Sequence, residues 1–286
     1  MKPSRTALYV ALFRALESEE TQRESLFVDS WAKQVLPMTL RAAVGLSRLA
    51  PLRAIIRRYV DRRARGAYAS VVGRTRYIDD VIKREVATDC PQVVILGAGF
   101  DCRAHRMKEL AGLRVFEVDR AQTQAYKRLV VERHKEQAQP LTYVEVDFQR
   151  DDLAARLGQC GWDRAVRTTF VWEGVTSYLS ADAVHAVFEI VGQTAKGSVL
   201  VFTYLHGDVI SAPDKSAVST EVRDYVRSLG EPWTYGIDPS ELEGLLHRFG
   251  LVLEDDLGAD QYPERYPEAQ DIAGYSFNRI ALARVS

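Results

Sequence analysis

Four acidic side chains, Asp101, Asp119, Asp147 and Glu173, each stand close behind a short apolar run, and Gly97 and Gly99 open the series in QVVILGAGFDCRAHRM. A strand that runs into Gly97-Ala98-Gly99 and then a helix makes a phosphate-compatible turn, yet such glycines can equally serve only to let backbone pass close to a ligand. A dinucleotide fingerprint would carry its third glycine where Cys102 stands, and Asp101 at the helix opening would repel a pyrophosphate and favour a cation. The same aspartate could instead be a simple helix cap. Asp119 ends FEVD, 20 residues beyond Gly99, where a carboxylate accepts hydrogen bonds from ribose hydroxyls. VEVDF puts Asp147 and Phe148 at the next strand end, suited to an adenine amino group and ring face, and VWEG puts Glu173 at the switch region of the sheet. The set forms a negative crescent that calls for a ribose, while phosphate does not follow from it.

Such placement requires parallel strands that all end on one side. After residue 90 the chain alternates β-branched runs (QVVILGAG, LRVFEVD, LTYVEVDF, RTTFVWEG, GSVLVFTYL) with helix-like segments near 101–111, 122–136, 151–158 and 180–193. This is the pattern of βαβ units in an α/β, doubly wound, mostly parallel sheet buried on both faces, with ligands at the carboxyl ends of its strands. LVLEDDL and GYSFNRIALAR supply two further strands, making seven, and are expected as an antiparallel pair at the sheet edge. Ahead of the sheet, residues 1–90 read as a helical cover. Leu8, Leu12, Ala15 and Leu16 recur at helical spacing between Ser4 and Ser18, and a second helical region over 29–50 is broken by Pro37 and ended near Pro51. One domain over 1–286 is expected, with a cofactor-binding core at 91–205, a substrate-side insertion at 206–240, and a C-terminal helix with edge strands at 241–286. SAVSTEVRDYVRSLG and DPSELEGLLHRFG read as helices, the second opened by Pro239 and Ser240 and closed by Gly250. No internal repeat or low-complexity stretch interrupts this order.

The formal charge of −1 implies no general attraction to nucleic acid. RAIIRRYVDRRAR, residues 53–65, concentrates six arginines against one acid. It reads either as a solvated helix face whose stems cover apolar surface, or as a site for an anion if the arginines converge on a pocket. Three cysteines without CxxC spacing argue against a disulfide framework or a zinc site, and no metal is expected. The N-terminal apolar run is interrupted by Arg14 and Glu17, and no apolar span is long enough to cross a bilayer, so a cytoplasmic protein with no membrane contact is expected.

The combination SRTALYVALFRALES, GRTRYIDD, VVILGAGFDCRAHRM, FEVD, VDF and FVWEGVTSYLS resembles the leucine carboxyl methyltransferase family of class I S-adenosylmethionine enzymes, including its bacterial and polyketide carboxyl methyltransferase branch, up to about residue 205. The resemblance implies S-adenosyl-L-methionine as cofactor, with S-adenosyl-L-homocysteine as product. It implies that Arg74, with Arg76 as the alternative, pairs with the methionine carboxylate, and that Gly97 and Gly99 admit the methionine part. Asp119 would take the ribose, Asp147 and Phe148 the adenine, and Glu173 would lie beside the amine and sulfonium. An arginine suits the first of these roles because its planar fork matches a carboxylate. Read without the resemblance, Arg74 could also form a surface ion pair with Asp79 or Asp80.

Methyl transfer from a sulfonium is an in-line displacement whose demands are alignment and exclusion of water. A carboxylate acceptor is already ionised at neutral pH, whereas a hydroxyl usually needs a base. Of the five histidines, only His206, directly after FTYL, is expected at the active face. With Tyr178 and Tyr204 it can orient an acceptor or act as a base. The insertion's Tyr225, Trp233 and Tyr235 can line a pocket for a planar or lipophilic acid, or be core. The expected activity is O-methylation of a small-molecule carboxylate, of the natural-product or polyketide type. Methylation of a hydroxyl or of a protein C-terminus, an NAD-dependent oxidoreductase, and a non-catalytic binding protein stand as alternatives.

Overall fold

The computed structural model describes residues 4–21, 23–63, 66–211, 217–228, 230–270 and 274–286. Four helices come first: α1 (Arg5–Ser18), α2 (Met38–Leu46), α3 (Ala50–Arg63) and α4 (Ala67–Ala87). The Ser4 hydroxyl opens α1 by accepting the Ala7 N–H at 3.1 Å. Residues 31–36 form turns rather than the expected helix, because the Asp29 carboxylate accepts the N–H groups of Trp31 and Ala32 and holds the chain there. Pro51 does not end a helix either. It sits in the first turn of α3, where its missing N–H has no partner to lose.

The sheet is built from β1 (Gln92–Leu96), β2 (Arg114–Asp119), β3 (Thr142–Glu145), β4 (Thr168–Trp172) and β5 (Val199–Leu205), linked through α5 (Arg103–Arg106), α6 (Ala121–Glu132), α7 (Leu153–Gln159) and α8 (Ala181–Gly192). α5 is shorter than the expected 101–111, since Met107 is extended and only a 3₁₀ turn follows. Then come α9 (Asp208–Ser211), α10 (Ala217–Ser228), α11 (Pro239–His247), β6 (Leu251–Gly258), α12 (Tyr262–Arg265) and β7 (Asn278–Val285). The strand order is β3-β2-β1-β4-β5-β7-β6, the doubly wound mostly parallel sheet that the alternation predicts. The last two strands form the expected antiparallel pair at the sheet edge, with their order reversed from that of the chain. β7 inserts between β5 and β6, pairing Leu205 with Asn278 and Tyr204 with Arg279.

Period-2 alternation divides the core. Val94, Leu96, Phe170 and Trp172 face α7, α8 and α11, while Val93, Ile95, Val171 and Val201 face α4 and the α12 region. A third cluster joins α1 and the Trp31 turn to Phe100 and Val130, so the helical cover is seated on the β1 exit. Burial of Trp172, Phe188 and Phe202, each 0% exposed, fixes the sheet beneath the site, at roughly 2–3 kcal/mol per large apolar side chain.

Candidate active site

At the carboxyl ends of β1, β2, β4 and β5 lies a cavity of about 1050 Å³. Its walls come from α1, α4, α10 and the 230–234 loop. Gly97 and Gly99 both line it, but they do different work. Each has positive φ, 63° and 48°, where a side chain is strained. A Cβ on Gly97 would lie 2.4 Å from Val175 Cγ2, so the space that glycine leaves is filled by the β4 loop and not reserved for a ligand. At Gly99 the nearest atom is 3.8 Å away, and its N–H donates to Asp119 Oδ2 at 2.6 Å. Asp119 also accepts the Arg120 N–H, which aims its carboxylate across the β1–β2 crevice. Burial pushes its pKa up and the two N–H groups oppose the shift.

Glu173 lies at the centre of a charge network. Arg74 Nε donates to its Oε1 at 2.8 Å and Arg103 Nη1 to its Oε2 at 2.7 Å. Arg103 also pairs with Asp101 and Asp79, Arg106 with Asp79 and Asp29, and Arg14 with Asp29 while donating to the Phe100 carbonyl. Four arginines thus meet four carboxylates, neutral in sum, across α1, α4, α5 and the β4 loop. Burial alone would raise Asp101 and Glu173, but Arg103, with Arg14 beside the first and Arg74 beside the second, outweighs it and holds both below the usual carboxylate range.

The network corrects two expectations. Arg74 makes no surface pair with Asp79 or Asp80, because those acids are taken by Arg103, Arg106 and Arg76. Asp101 does cap the helix, accepting the Arg103 N–H at 2.7 Å, but its charge is matched by Arg103 and presents no free repulsion to a phosphate. The alternative Arg76 points elsewhere, to Asp80, the Leu26 carbonyl and the Tyr266 ring, and does not line the cavity. Arg103, the hub, went unread in the sequence. Its only local signal is a basic residue two positions after Asp101, on a helix that packs inward.

Phe148 lines the cavity and packs 6.2 Å from Trp172. Asp147 does not line it. β3 ends at Glu145, so Asp147 falls in the following turn, 3.7 Å from Arg120 and accepting the Gln149 N–H. Tyr178 lines the cavity, its hydroxyl pushed up by burial with Trp233 and Thr6 opposing. Tyr204 lines it too, but its hydroxyl is committed, accepting from Arg279 Nε at 2.9 Å and donating to Asp256 at 2.9 Å. His206 is outside the lining. β5 stops at Leu205 and the chain turns into α9, leaving the His206 Nδ1 to accept the Asp208 N–H. Tyr225 and Trp233 line the cavity, whereas Tyr235 packs on the core and contacts His185. In the arginine-rich stretch Arg53 is buried against Glu20, Arg58 is exposed, and the side chains of Arg57, Arg62, Arg63 and Arg65 lie outside the described residues.

Comparison with known proteins gives this geometry a family. The sequence model described as leucine carboxyl methyltransferase matches residues 7–192. A candidate S-adenosyl-L-methionine-dependent methyltransferase of Frankia alni is 39% identical over 205 residues, covering 69% of this chain and 67% of that protein. One from Streptomyces coelicolor is 38% identical over 202 residues, with coverages of 69% and 68%. A solved structure of a candidate methyltransferase from Thermobifida fusca shares the fold at a TM-score of 0.59 and 16% identity, over 100% of this chain and 96% of that one. The chain belongs to the leucine carboxyl methyltransferase family and is an S-adenosylmethionine-dependent methyltransferase.

Proposed function

We propose that the protein forms a methyl ester on the carboxylate of a small-molecule acid. The observation that carries this reading is the chemistry of the cavity wall. Its described lining contains neither histidine nor lysine, and of its four carboxylates Asp101 and Glu173 are held ionised and weakly basic by arginines, Asp119, though pushed up by burial, is engaged by two backbone N–H groups, and Glu231 stands on the 230–234 loop. A hydroxyl acceptor would need a proton removed, while a carboxylate needs only alignment. A Tyr225–Tyr9 hydroxyl contact of 3.0 Å joins α10 to α1 at the wall, which suits an enclosed small molecule better than a protein tail.

The residues fit S-adenosylmethionine. Arg74 spends only Nε on Glu173 among the described contacts, so the rest of its fork suits the methionine carboxylate. Glu173 gives the amino group a negative partner, and Gly99 leaves the space where a side chain would project uncrowded. Asp119 has lone pairs left for ribose hydroxyls, and Phe148 offers a ring face to adenine. Asp147 reaches the adenine edge only if its contact with Arg120 opens. When bound, the cofactor supplies an electrophilic methyl group on sulfur. The chain's part is to hold the acceptor oxygen in line with it and exclude water. A reducing cytoplasm fits the free thiols of Cys90, Cys102 and Cys160.

Incubation with methyl-labelled S-adenosylmethionine and a panel of carboxylic acids, phenols and peptides tests the reading. Label on an acid that base releases as methanol is expected. Base-stable label on a phenol, or label confined to peptides, would overturn it.

A further inference from the structure

We infer that Arg279, at the start of β7, is the anchor for the acceptor's carboxylate, held in place by Tyr204 and Asp256. The inference rests on the methyl-ester reading and adds the group that would recognise the acid.

An anionic acceptor brought into a largely apolar cavity needs a cation or strong donors at its charged end. The described lining offers five arginines. Arg14 is buried against Asp29 and the Phe100 carbonyl. Arg120 stands at the Asp119–Asp147 end. Arg74 is the partner of Glu173. Arg5 is exposed in the first turn of α1, where an anion would remain in water. Arg279 is left, its side chain 17% exposed.

Its charge is shared with Asp256, as that of Arg74 is with Glu173, so what it offers an acid is an oriented donor and not a net positive field. Asp256 takes Nη2 at 2.9 Å and Tyr204 takes Nε at 2.9 Å, so one edge of the guanidinium is clamped. Among the described contacts Nη1 makes no hydrogen bond, which leaves donor capacity on a group whose orientation is already fixed. The site also lies near the reacting end. Arg279 lines the same cavity as Arg74, Glu173 and the buried Tyr262, which packs on Gly73. Thr203, the residue before Tyr204, accepts the Gly174 N–H at 2.7 Å and so ties this edge of the sheet to the Glu173 loop. An acid with its carboxylate at Arg279 would lay its apolar body toward Tyr9, Phe13, Tyr225 and Trp233, which line the same cavity. Tyr204 therefore acts through Arg279 as a positioning residue and does not itself orient the acceptor.

The test is calorimetric binding to the full chain loaded with S-adenosylhomocysteine, comparing 2-naphthoate and decanoate with their primary amides. At least one acid should bind 10- to 100-fold more tightly than its amide, roughly the range of a charge-assisted contact. Arg279→Gln should erase that preference while S-adenosylhomocysteine affinity stays within about twofold, and Arg279→Lys, which keeps the charge but loses the fork, should retain part of it. Tyr204→Phe should weaken acid binding less than Arg279→Gln. A preference that survives Arg279→Gln, or no preference in the unsubstituted protein, overturns the assignment. Ester product with an unchanged preference in Arg279→Gln would sink the anchor alone. Base-stable product with the preference erased would sink the ester reading and leave the anchor standing.

Discussion

Around Gly99 and Glu173 the cavity is walled by charge, with four arginines and four carboxylates interlocked; around Tyr9, Phe13, Tyr225 and Trp233 it is walled by apolar rings. The charged end lies within the residues matched by the family model, whereas the apolar end takes Tyr9 and Phe13 from those residues and Tyr225 and Trp233 from beyond residue 192. Paired charges in a buried setting fix geometry and tolerate little change, because removing one partner strands another. Apolar packing accepts substitutions of similar volume at smaller cost. One end therefore suits a ligand that never varies, and the other a ligand that can.

The sharpest way to break this contrast is at the hub. Arg103→Met should cost about 3–5 kcal/mol in urea unfolding, because Asp79, Asp101 and Glu173 all lose a partner, and should abolish S-adenosylhomocysteine binding. Unchanged stability would mean that the charged end is not the rigid one. Next in size, Arg74→Ala should weaken S-adenosylhomocysteine roughly 10- to 100-fold by calorimetry with little change in melting temperature, since Glu173 keeps Arg103. If acid binding fell equally, the two ends would be less separate than they look.

The smallest effect concerns pH. Burial, with the Lys127 charge adding to it, lowers His105 to about 4, below the value of about 6.5 in an open chain. The unfolded chain then binds more protons between those values, so stability present at neutral pH is lost as pH falls from about 6.5 toward 4, by roughly 1–2 kcal/mol at pH 5. Melting curves at pH 7 and 5 should show this loss, and His105→Gln should flatten it. Asp101 and Glu173 are depressed, so their contribution holds above the ordinary carboxylate range and fails only below it. The carboxylate window opens near 4.5, where the His105 window is closing.

The five parallel strands were legible because each is a β-branched run, four of them ended by glycine or acid, a local pattern. So was the placement of Gly99, Asp119, Phe148 and Glu173 on the cavity wall, which follows from those strand ends. The insertion of β7 between β5 and β6 was not legible, since pairing Tyr204 with Arg279 is a contact across 75 residues that no window contains. Nor was the role of Arg103, whose partner Asp79 is 24 residues upstream on another element. His206 and Asp147 failed for a smaller reason. Both lie just past a strand end, where the loop's own bonds decide direction: His206 accepts the Asp208 N–H as the chain turns into α9, and Asp147 accepts the Gln149 N–H, while its neighbour Phe148 lines the cavity.

In a wholly parallel sheet the ligand-facing rim receives only residues that are leaving strands, and each is tied to the helix that follows. β7 runs the other way, so residues 278 and 279 reach that rim as the chain arrives from the segment after α12. A change in the length or composition of that incoming segment can move Arg279 without touching a βα loop that serves the cofactor. The reversed strand gives the enzyme a separate adjustment screw for its acceptor, carried into the cofactor's own cavity by a segment that is not a βα loop.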